Sequence, residues 1–114
     1  MKHAPGFLQL VETVMPRIKE MTVAELKSLA QPHTVIDVRE DSEWNVGNIP
    51  HAIHLGRGII ERDIEAAIAD KDAMLVLYCG GGYRSALAAD SIQKMGYRNV
   101  YSLAGGWKAW QIRL

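Results

Sequence analysis

An apolar run, Leu75-Val76-Leu77-Tyr78, ends at Cys79, the only cysteine in the chain, and Gly80-Gly81-Gly82-Tyr83-Arg84-Ser85 follows it directly. Residues 85–95 then turn helical. Leu87, Ala88, Ser91, Ile92 and Met95 share a face, and Gly96 stands at the C-cap position. A short buried strand, a glycine turn and a helix in immediate succession restrict the fold to one with crossover helices between strands. The rest of the chain repeats that alternation. Residues 34–38, 52–55 and 99–102 read as further short strands, and residues 41–46, 62–69 and 107–110 as helices. Thr22 and Glu25 form a capping box, with Met21 and Leu26 as its hydrophobic staple, and open a helix that runs to about Ala30. The pattern predicts an α/β domain with a mainly parallel sheet, whose ligands bind beyond the carboxyl ends of the strands. Cys79 stands at such an end.

Residues 5–18 carry Phe7, Leu10, Val11, Val14 and Ile18 at helical spacing, with Leu8 and Met15 widening the stripe. Pro5 suits a first turn, and Pro16 should stop the helix near Met15. The ordinary fate of such a helix is to pack on its own domain. The alternative is docking to a partner, a second subunit or a membrane, but its polar face is not basic enough to favour anionic lipid. The chain therefore divides into a helical extension, residues 1–20, and a domain, residues 21–114.

Composition narrows the function. With 13 basic and 13 acidic residues among 114, the formal net charge is zero, which argues against a nucleic-acid binder. One cysteine makes no intrachain disulfide, so the fold must stand without staples, as suits a reducing cytoplasm. No apolar run is long enough to cross a membrane, and Glu12 and Pro16 break the only candidate for a signal peptide's apolar core. The expected location is cytoplasmic.

Glycines at 80, 81 and 82 allow successive N–H groups to turn inward around an anion, and the following helix adds its positive end. Arg84 adds a fixed charge. Together these should lower the Cys79 thiol below its free value of about 8.5 and give a nucleophile that needs no partner histidine. A buried structural cysteine before a glycine turn is the bland alternative. The order strand, Cys, Gly-rich loop, Arg, helix argues against it.

The segment from Cys79 to Ser85 resembles the active-site loop of rhodanese-type sulfurtransferases. Ile36-Asp37-Val38-Arg39-Glu40, Glu43-Trp44 and Gly47-Asn48-Ile49-Pro50-His51-Ala52 are similar to the family's upstream signature. Leu103-Ala104-Gly105-Gly106-Trp107, with Trp110, resembles its carboxyl-terminal motif. Asn48 and His51 depart from the His and Gly frequent there, at positions that belong to the scaffold. The resemblance implies a three-layer α/β domain with a five-stranded, mainly parallel sheet flanked by helices. It also implies that Cys79 accepts a sulfane sulfur as a persulfide, with thiosulfate as the usual laboratory donor. Cyanide, a thiol or an acceptor protein then takes the outer sulfur. No cofactor is implied beyond that covalent intermediate. Cys79 and Arg84 are the catalytic candidates. The amides of Gly80, Gly81, Gly82, Tyr83, Arg84 and Ser85 are the substrate-binding ones. Arg84 is the only charge in the loop, so the donor stays open, and so does the oligomeric state.

Two other classes compete. Cysteine-dependent phosphatases also set Cys and Arg around an amide cradle, but with five residues between them. Here Cys79 and Arg84 have four, a narrower ring that suits one sulfur better than a phosphoryl group. A pure binding scaffold would typically have lost the cysteine, so its retention favours catalysis or sulfur relay. A peroxidatic role lacks a second thiol, and His51 and His54 are expected near a strand rather than on a metal. Among possible supports, Asp37 is expected as a buried hydrogen-bonding carboxylate and Arg39 as a polar prop behind the site. Arg57 could reach an anionic donor at the pocket mouth or lie solvated. Trp44, Trp107 and Trp110 read as packing residues. Ser85 is expected to cap the helix and to reach Cys79.

Overall fold

In the computed structural model, which describes residues 3–112, β4 (Leu75–Tyr78) is buried along its whole length. Its position explains why. It lies at the centre of a five-stranded sheet in the order β1-β5-β4-β2-β3, flanked by β2 (Thr34–Asp37) and β5 (Val100–Leu103). The edges are β1 (Lys19–Met21) and β3 (Ile53–His54), and every pairing is parallel. The register sets Ile36 beside Leu77 and Leu77 beside Ser102.

Strand alternation sorts β4 between two cores. Leu75 and Leu77 face one cluster with Ile36, Ile60, Ile64, Ala88, Ala89 and Ile92. Ile36 belongs to β2, and the others come from α4 (Ile60–Ala67) and α5 (Tyr83–Lys94). Val76 and Tyr78 face the other, with Leu26 of α2 (Val23–Lys27) and the indoles of α6 (Gly106–Gln111). Helices thus cover both faces, as the three-layer expectation required. Among the described residues no helix is long and apolar enough to cross a membrane.

Most predicted elements are present, with shifts. The capping box at Thr22 and Glu25 forms, but α2 stops at Lys27, where the Ser28 hydroxyl donates to the Ala24 and Glu25 carbonyls. Gly96 takes the left-handed conformation after α5. The predicted face of α5 is rotated: Ser85, Ala86, Ala88, Ala89 and Ile92 are buried, whereas Leu87, Ser91 and Met95 are only half-buried. Small side chains let the helix approach the sheet more closely than a leucine row would.

β1 was not foreseen. It straddles the division drawn between residues 20 and 21, and it pairs with β5 through Lys19–Tyr101, Glu20–Ser102 and Met21–Leu103. The helix before it, α1 (Pro5–Val14), passes at Pro16 into a 3-10 turn, Met15–Arg17, and packs on α5. Arg17 donates to both carboxylate oxygens of the largely buried Asp90, at 2.9 and 3.0 Å. That hydrogen bond holds the Asp90 carboxyl below the usual carboxylate range.

Candidate active site

One residue beyond β4, alternation turns Cys79 to the α5 side, where it is 1% exposed. Its Sγ does not sit among hydrocarbon alone. It accepts the N–H of Gly82 at 3.1 Å and of Ser85 at 3.4 Å, and the thiol points to the Ser85 hydroxyl at 3.6 Å. Gly82, at φ +110°, makes this turn possible, because an L side chain is strained there. It also serves as the N-cap, so α5 begins at Tyr83 and Ser85 lies within its first turn. The expectation that Ser85 caps the helix is thereby corrected. Its buried hydroxyl instead donates to Gly82 O at 3.2 Å or shares a proton with Ser102 Oγ at 2.7 Å.

The loop's carbonyls are taken up from the other side. Trp107 N donates to Cys79 O at 2.7 Å and Lys108 N to Gly80 O at 3.1 Å, both from the first turn of α6. Among the described residues, the N–H groups of Gly80, Gly81, Tyr83 and Arg84 have no hydrogen-bond partner. The loop therefore spends its acceptors on α6 and keeps four donors available at the positive end of α5.

Arg84 is not an uncompensated charge. Its two terminal nitrogens donate to Glu43 at 2.7 and 3.1 Å. Glu43 is in turn fixed by α3 (Asp41–Val46), whose capping box has its carboxylate accepting the Glu40 N–H at 3.0 Å. The hydrogen bond from Arg84 brings the Glu43 carboxyl down to about 2. Glu43 was visible in the sequence only as part of the Glu43-Trp44 motif, because nothing in local spacing connects it to a loop 41 residues away. A carboxylate with a depressed folded-state value stabilises above its unfolded value of about 4.5 and loses that contribution as pH falls toward 2. Glu43→Gln should therefore be destabilised by about 1 kcal/mol or less at neutral pH, since the pair is a third exposed. In urea titrations the gap from the wild type should close between about pH 4.5 and pH 2. A gap that does not depend on pH would remove the ion pair as its cause.

Asp37 and Arg39 form a buried pair behind the loop. The Asp37 carboxylate accepts the Arg39 backbone N–H at 2.8 Å and Nη2 at 2.8 Å. Arg39 also donates to Gly47 O at 2.6 Å, and its guanidinium lies 4.9 Å from the centre of the Trp107 ring. Arg39 thus lies over Trp107, whose N–H donates to Cys79 O, and neither Asp37 nor Arg39 lines the pocket. Arg57 lies outside the pocket as well, paired with Glu61 at 3.0 Å one turn further along. His54 binds Arg39 O at 2.7 Å and stacks on Trp44 with ring centres 5.0 Å apart.

Cys79 forms part of the wall of an open cavity of about 1050 Å³. Residues that sequence reasoning did not assign complete it. His3, just before α1, and Phe7, in its first turn, meet Tyr83 with ring centres 5.0 and 6.1 Å apart, and Lys108, Ala109 and Ile112 form the α6 side. The helical extension thus helps to line the same pocket as the cysteine. No spacing within residues 1–20 could show that.

Comparisons with known proteins agree with this geometry. Residues 22–113 match the family model described as Rhodanese-like domain. The chain is 36% identical to the Bacillus subtilis protein named "Putative sulfurtransferase YtwF", over 82% of this chain and 91% of that one. It is 33% identical to "Thiosulfate sulfurtransferase GlpE" of Shewanella oneidensis, over 84% of this chain and 95% of that one. A solved structure from Rhodopseudomonas palustris, described as a protein of unknown function and possible tyrosine phosphatase, superposes with a TM-score of 0.85 at 30% identity. It covers 97% of this chain, and so includes α1, and 92% of its own. By its fold, its loop and its relatives, this chain belongs to the family of rhodanese-like domains.

Proposed function

We propose that this chain is a sulfurtransferase that moves sulfane sulfur from a donor such as thiosulfate to a thiophilic acceptor, through a persulfide on Cys79. The observation that carries the reading is a sulfur held by the Gly82 and Ser85 amides in a loop with four further N–H groups unpaired. Such a loop stabilises negative charge on the attacking sulfur and then on the outer sulfur of the persulfide.

The first half-reaction is displacement. The Cys79 thiolate attacks the outer sulfur of thiosulfate, the S–S bond breaks, and its electron pair leaves with sulfite. In the second, cyanide, a thiol or an acceptor protein attacks the outer sulfur of the persulfide, and the thiolate returns. One covalent intermediate shared between two substrates predicts ping-pong kinetics. A reducing cytoplasm, which keeps a lone thiol free, suits this chemistry. Intact-mass measurement after incubation with thiosulfate tests the reading. We expect a gain of one sulfur atom, lost on adding cyanide, and an unchanged mass with active donor present would refute it.

Arg84→Ala should slow transfer about tenfold or more while lowering stability by only about 1 kcal/mol, because its ion pair is partly exposed. An unchanged rate would make Arg84 only an anchor for Glu43. The phosphatase reading has one point in its favour, the description of the Rhodopseudomonas palustris neighbour. Against it stand the short loop and an arginine whose terminal nitrogens are both engaged by Glu43. Hydrolysis of an aryl phosphate without any sulfur transfer would reverse the choice.

A further inference from the structure

The cavity at Cys79 is far larger than a small inorganic donor requires. At about 1050 Å³ it matches the upper end of sites that enclose organic ligands, roughly 300–1,000 Å³. Its lining is divided. Phe7 and Tyr83 form an aromatic wall with His3, and Ala109 and Ile112 extend the apolar surface on the α6 side. The charges are few. Arg84 and Glu43 neutralise each other, and among the described residues no carboxylate is paired with Lys108. Among the described residues, a single unpaired cation thus stands beside an apolar wall, which complements a single negative charge on an apolar body better than a compact dianion.

We infer that the aromatic wall between α1 and α5 sets donor specificity: Phe7 and Tyr83 select a monoanionic sulfane-sulfur donor with an aromatic or aliphatic body, such as an organic thiosulfonate, over thiosulfate. The inference rests on the persulfide reading above. The chemistry balances in the same way. The Cys79 thiolate attacks the outer sulfur of R–SO2–S⁻, the sulfur–sulfur bond breaks, and the electron pair leaves with the sulfinate R–SO2⁻. Lys108 faces the departing anion's side of the pocket, and the R group lies against the rings. Two of the wall's three rings, His3 and Phe7, precede position 22, where the family match begins, so they add to the shared catalytic frame from outside it.

The test pairs two donors, benzenethiosulfonate and thiosulfate, with cyanide as acceptor, and reads the ratio of their kcat/KM values. Because both donors meet the same enzyme, the ratio is indifferent to the fraction that is folded. The wild type should favour benzenethiosulfonate by at least about tenfold, and Phe7→Ala and Tyr83→Ala should each lower the ratio by about tenfold, the scale of a lost apolar contact. A ratio at or below one in the wild type, or one unmoved by both substitutions, overturns the inference while leaving the persulfide intact. Failure of both donors to add sulfur by mass overturns the persulfide reading itself, and this inference with it.

Discussion

Cys79→Ala should abolish sulfur transfer, by roughly four orders of magnitude or more, without unfolding the protein. The reaction as proposed has no second route, since Cys79 is the only thiol in the chain. Truncation at Cβ leaves the backbone of the loop where it was, because the carbonyls of Cys79 and Gly80 are held from α6 and Gly82 retains its left-handed turn. What is lost is an acceptor for two amides, at a cost of about 1–2 kcal/mol. Urea unfolding, together with sulfur loading by mass, separates the two effects. Residual transfer within a hundredfold of the wild type would place the nucleophile elsewhere.

Gly106→Ala should be the most damaging glycine substitution in the site. A Cβ there would stand 2.2 Å from the Cys79 carbonyl oxygen, and the residue has φ +52°. The left-handed conformation alone costs an L residue about 1–2 kcal/mol. The clash adds to this, because the carbonyl can retreat only by giving up its bond from Trp107 N. We expect a loss of about 3 kcal/mol or more in urea unfolding, with sulfur loading of whatever folds reduced at least tenfold. Gly81→Ala is the contrast. A Cβ at that position meets nothing within 4 Å, and stability should change by less than about 1 kcal/mol. Equal losses from the two substitutions would show that the α6 contact does not govern the loop.

The parts of this molecule that could be read in the sequence are those whose cause is local. β4 announces itself as four apolar residues, and α5 by the glycines at both ends. Cys79, Gly82 and Ser85 meet within one turn of chain, so their order already implies their contact. β1 has no such signature. Lys19 and Glu20 are exposed, and the segment is a strand only because β5 offers it an edge, a short charged edge being typical of natural sheets. Glu43, Phe7 and Lys108 reach the pocket from three separate elements, so only the tertiary fold brings them together. Arg57 illustrates the converse. Its local sequence leaves a reach toward the pocket and a solvated side chain equally open, and the fold sets a nearer partner, Glu61, beside it.

The bonds from Trp107 N and Lys108 N to the Cys79 and Gly80 carbonyls have a consequence for biosynthesis. The nucleophile is translated some thirty residues before the helix that braces its loop. Until α6 has left the ribosomal tunnel, a nascent chain would hold its thiol in an unfinished setting, and reactivity would appear only once that helix has docked. Stalled or prematurely terminated products should then be inert rather than loose carriers of reactive sulfur.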